Sequence, residues 1–126
     1  MANNHIHSKS ELSDFQPSYK KFMQDMNTGM EKMMRDMHAP GYKGNPDVDF
    51  LAMMIPHHEG AVEMASLVLI HGTDPLVRNL AEDIISSQTS EIQSMKQRLK
   101  ILSRQKDADT EGFPALGGTR GLTNKN

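Results

Sequence analysis

Cysteine is missing from this 126-residue chain, and so is tryptophan. Without thiols there can be no disulfide, no thiolate metal ligand and no thiol nucleophile. Aromatic residues make up only 5% of the chain, so ring packing contributes little to its core. A surplus of one charge is missing too: 14 basic residues stand against 16 acidic ones. That balance leaves no basic stripe for nucleic acid. No apolar run approaches the roughly 18 residues that span a bilayer. Residues 1–10 are polar and lack the apolar stretch of a secretory signal, which leaves two expectations: a cytoplasmic chain, or one whose signal was removed.

Several catalytic patterns are absent as well. There is no glycine-rich phosphate loop and no serine nucleophile elbow. His58-Glu59 opens like a zincin motif, but residue 62, where the second histidine belongs, is Val62. No Glu-x-x-His occurs, so the ligand set of a carboxylate-bridged di-iron bundle is incomplete. A pair on the N-terminal arm, His5-x-His7, reads as part of a polar segment, with weak Cu(II) or Zn binding as the alternative.

What the chain does have is methionine, 11 residues of it, and clear helix punctuation. Pro17 suits the first position of a helix, which Ala39-Pro40-Gly41 ends after His38. Asn45-Pro46-Asp47 combines an N-cap, a proline at the next position and an acid in the first turn, predicting a second helix from 46 to His71 before Gly72. Asp74-Pro75 repeats the signal for a third helix from 75 to about 105. The expected organisation is a polar arm at 1–16, a helical bundle at 17–105 and a Gly-rich tail at 106–126. The expected fold is all-α, an antiparallel bundle of three long helices, completed to four or more by the N-terminal arm or by the partner in a homodimer.

On a helical wheel, Tyr19, Phe22, Met23, Met26, Met30, Met33, Met34 and Met37 fall within an arc of about 120°. Between Gln16 and Asp47 there is no Leu, Ile or Val. The inward face of the first helix is therefore expected to be two aromatics and six thioethers. Methionine fills irregular cores well, but it loses more side-chain entropy on burial than leucine and specifies packing less sharply. A stripe with no aliphatic competitor points to thioether chemistry, and thioether sulfur favours Cu(I) over Zn, Mg or Ca. A Met-lined groove for a partner helix is the alternative.

The second helix carries Met53-Met54-Ile55-Pro56-His57-His58-Glu59-Gly60-Ala61. Pro56 deep inside a helix removes the hydrogen bond to the Ala52 carbonyl at a cost of about 3 kcal/mol. A rule broken at that cost suggests a site. The wheel centres the apolar arc on Phe50, Met54, Ala61 and Val68. His57 is expected to lean inward on one side with Met53 and Met64, and His58 on the other with Leu51 and Ala65. Glu59 and Glu63 are expected to face solvent. In the third helix Gln88 sits mid-seam among Ala81, Ile84, Ile85, Ile92, Met95, Leu99 and Leu102. A buried amide needs a partner, and an imidazole is the natural one. Glu91, on the rim, is placed either in solvent or on the other imidazole, fixing its tautomer. Met95 is core or ligand.

Asp49-Phe50, Met54-Ile55-Pro56-His57-His58, Gly60-Ala61 and Met64-Ala65, followed by Ala81, Ile85, Gln88, Glu91-Ile92 and Met95, resemble the domain-of-unknown-function 305 family over about residues 46–102. The resemblance implies a ferritin-like helical bundle, commonly periplasmic or secreted, with some members linked to copper binding and copper resistance. It gives His57, His58 and the nearby methionines a metal role, and Asp49, Gln88 and Glu91 a supporting one. The chain departs from the pattern at Glu59, where glutamine is frequent, and at Arg98, where an aromatic is frequent. The expectation is a protein that binds Cu(I), with Cu(II) and Ag(I) as further candidates, through Met26, Met30, Met33, Met37, Met53, Met54, Met64, Met95, His57 and His58. Its partners would be the metal ion and copper-transport or resistance proteins. The rivals are a helix-docking module and a ferritin-like enzyme that oxidises metal.

Overall fold

The computed structural model describes residues 14–110, with side chains to residue 105. Three helices account for nearly all of it: α1 (Pro17–His38), α2 (Pro46–His71) and α3 (Pro75–Thr110). The first two helices have the bounds expected from their stop and start signals. The Asn45 side chain accepts hydrogen bonds from the Asp47 and Val48 amides, and Asp74 caps α3 through the Val77 amide. One boundary differs: α3 runs to Thr110, past the expected end near 105. Lys106-Asp107-Ala108-Asp109 contains no glycine or proline, so nothing stops propagation before Gly112. The rest of the expected tail and most of the expected arm lie outside the described residues.

α2 is the middle helix, antiparallel to both neighbours and packed on each; no Cα of α1 comes within 8 Å of α3. The three helices thus form one layer rather than a closed triangle. Its fully buried hydrophobic residues are few: Leu51, Ile55 and Ala65 of α2, and Ala81 of α3. No residue of α1 is fully buried, so the expected inward methionine face is only half covered. The reason is geometric, because a helix at the edge of a layer has a neighbour on one side only.

Both connections are tied down. Asp49 accepts from the Lys43 and Gly44 amides, and Gly41 and Gly44 take the positive φ that this loop requires. At the other end the Arg78 guanidinium donates to the Leu69 and Gly72 carbonyls, which the end of α2 leaves free. α2 runs unbroken through Pro56.

The layer has two unlike sides. On one, Glu59, Glu63, Lys32 and Asp36 border a small cleft between α1 and α2, and Glu59 pairs with Lys96 of α3 at 3.2 Å. Glu59 is thus ion-paired and half-buried instead of facing solvent freely. Lys32 bonds Asp36 at 2.7 Å, and this carboxylate raises the lysine above its ordinary pKa. On the other side, Met26, Met64, Ala61, Val68, Leu80, Ile84 and Gln88 line an apolar groove of about 410 Å³.

Candidate metal centre

Two seams carry the residues of interest. In the α2–α3 seam the His58 side chain is 13% exposed, and its Nε2 lies 2.7 Å from Oε1 of Glu91. A carboxylate only accepts, so Nε2 is the donor, and in the neutral ring Nδ1 carries the lone pair. Nδ1 is buried and has no hydrogen-bond partner. A metal-binding histidine is held in this way, one ring nitrogen on a carboxylate and the other free. The register set by His58 and Glu91 is repeated where Leu51 meets Arg98 and Leu102. It puts Met54 opposite Met95, one turn from His58.

In the α1–α2 seam the register is set by Met33 on Gly60 and by Phe22, whose ring meets His71 edge-on at 5.5 Å. A Cβ on Gly60 would lie 2.6 Å from the Met33 sulfur, so Met33 fills the interface. The same register puts His57 between the levels of Met33 and Met37, with Met53 one turn before it. Met30 lies level with Met64, and Met26 and Met64 line the same groove.

Three expectations change here. His57 is exposed, not inward. The apolar arc of α2 contains Phe50, His57, Ala61, Met64 and Val68 at heptad-like spacing, and it faces the open side of the layer, between the two seams. Gln88 finds no histidine: its Oε1 is buried without a partner, because the His58 ring turns to Glu91 one turn further along α3. Asp49 ties the loop before α2 and does not support the histidines. Glu91 does reach an imidazole. Glu59–Lys96 and the Arg78 clamp escaped the sequence reading, although a cation at a helix C-terminus is a usable signal for the second.

Among the described residues no three His, Asp or Glu side chains converge on one point, and no helix is long and apolar enough to cross a membrane. The His57 and His58 rings are neighbours, with centroids 6.3 Å apart, and the other soft donors along the two seams are thioethers.

Fold and site together define a small all-helical bundle with methionines and a carboxylate-held histidine along its seams. The family profile described as a domain of unknown function (DUF305) matches residues 4–99, most of the chain, and the chain belongs to that family. It is also similar to the uncharacterized protein L153 of Acanthamoeba polyphaga mimivirus. The two are 43% identical over 49 residues, which are 39% of this chain and 32% of that relative. The match therefore spans about a third of the relative's length.

Proposed function

We propose that this protein binds a soft metal ion, Cu(I) or Ag(I), to sequester it, confer tolerance or pass it on. The observation that carries the reading is His58: Nε2 is held by Glu91, while Nδ1 is buried and unpartnered. A buried imidazole nitrogen left without a proton or a donor is costly unless something fills it. Met54 and Met95 are the nearest soft donors by register, and thioether with imidazole favours Cu(I). On the α1 side of the open face, exposed His57 supplies a second imidazole, with Met30, Met37, Met53 and Met64 along the seam. Met33 is tied to Gly60 and serves packing first. The setting that suits this chemistry is the periplasm or the secreted space, where thioethers remain ligands while thiols are drawn into disulfides.

The test is an anaerobic Cu(I) titration against a competing chelator, read by native mass spectrometry, with Ag(I) as the redox-inert parallel. His58→Ala should abolish the tightest site. Glu91→Gln should weaken it by about 10–100-fold, as loss of a carboxylate behind a ligating histidine does. Met54→Leu/Met95→Leu should shift the ion to weaker binding with the helices intact. Unchanged stoichiometry and affinity in the Met→Leu variant would sink the thioether reading.

A further inference from the structure

The open side of the layer is the largest unexplained feature of the fold. Phe50, Val77 and Leu80 are 55%, 47% and 60% exposed along it. The groove between them is lined by Met26, Met64, Ala65 and Ile84. A soluble protein rarely leaves such a patch uncovered. From this side we infer that a second copy of the chain covers it, in a two-fold dimer with α2 antiparallel on its symmetry mate. This inference rests on the fold and is independent of the metal reading.

The occupant follows from shape and from chain length. A projecting ring, Phe50, and an empty apolar groove lie on one stripe of α2 in the same copy. That is self-complementary, as an isologous interface must be. A parallel pairing would set Phe50 against Phe50 and groove against groove. The antiparallel pairing seats each ring in the other's groove.

The segments outside the described residues fit the groove poorly. Residues 111–126 start beyond Thr110, and reaching the groove near Ala81 means retracing about 44 Å of α3. At no more than about 3.3–3.6 Å per residue, that span alone uses about 13 residues. Residues 1–13 hold Ile6 and Leu12 as their only large aliphatic side chains. The face itself spans about 30 Å by 39 Å, room enough for the ~800 Å² per partner of a standard interface. A net charge of −2 sets little repulsion against pairing.

The register has a consequence. Phe50 lies seven residues before His57, and Ala65 lies seven after His58. Seating Phe50 over Ala65 of the second copy therefore brings the axis across α2 between His57 and His58. The exposed His57 side chains of the two copies meet there, with Glu91 of each at the same level, held on its own His58.

The experiment uses the full chain, metal-free. Sedimentation equilibrium should give twice the 14.1 kDa of one chain. Phe50→Asp should weaken association by at least about 100-fold while circular dichroism stays helical, since Phe50 is more than half exposed in one copy. The absence of native cysteine allows a second, independent measurement. His57→Cys should oxidise to a disulfide-linked dimer, whereas Glu63→Cys, on the opposite side, should not. A monomer at all concentrations, as an intramolecular cover would give, overturns the inference. So does a dimer in which His57→Cys cross-links no faster than Glu63→Cys.

Discussion

Gly60 shows how far a single residue can be read from sequence. Its smallness suggests a close approach, and the structure supplies the neighbour, the Met33 side chain. An alanine in a helix interior is ordinarily better than glycine by about 1 kcal/mol. Here its Cβ would meet the Met33 sulfur at 2.6 Å and the Met33 Cβ at 3.2 Å. Gly60→Ala should therefore lower stability, by about 1–2 kcal/mol net of the propensity gain, measured as a lower midpoint in urea with unchanged slope. Spacing placed the Glu91 carboxylate on the seam rim, open to solvent or to an imidazole, and the structure decided for His58. The exposure of His57 was not. A wheel locates an apolar arc but cannot say whether another element covers it.

At the scale of elements, caps and prolines wrote the boundaries of α1 and α2 into the sequence, since each acts on backbone groups within a turn of itself. The joint between α2 and α3 depends on a longer reach. Arg78 spans back to two carbonyls at the end of α2, at 2.7 and 3.0 Å. Removing a charged donor leaves both acceptors to water and unpins the hairpin. Arg78→Ala should cost about 1.5–3 kcal/mol, and hydrogen exchange should accelerate first at the last turn of α2 and the first turn of α3. Exchange that quickens evenly along all three helices would argue against a local clamp.

For the molecule as a whole, the decisive quantity is uncovered apolar surface. Four fully buried hydrophobic residues among the described ones are a thin core for helices this long, and small cores seldom supply more than a few kcal/mol. Stability should therefore depend on association. In the metal-free protein the thermal midpoint should rise with chain concentration, as linkage requires when the folded form pairs and the unfolded form does not. Scanning calorimetry over a hundredfold range of concentration checks it; a constant midpoint means that one layer suffices alone. Added Cu(I) or Ag(I) should raise the midpoint further, and this increment should vanish in His58→Ala while the concentration dependence remains.

The sequence by itself determined three helices, their order, most of their ends and the side chains that share a stripe, because caps, prolines and the 3.6-residue period are local physics. It also determined which soft side chains are present, thioether and imidazole without thiol. Tertiary structure alone decided which stripes met. By making α2 the middle of an open layer it buried His58 between helices, turned His57 and Phe50 outward, left the Gln88 Oε1 without a partner and gave Asp49 to a loop. Those outcomes depend on which neighbour lies on each side of α2, and no periodicity within one helix carries that information.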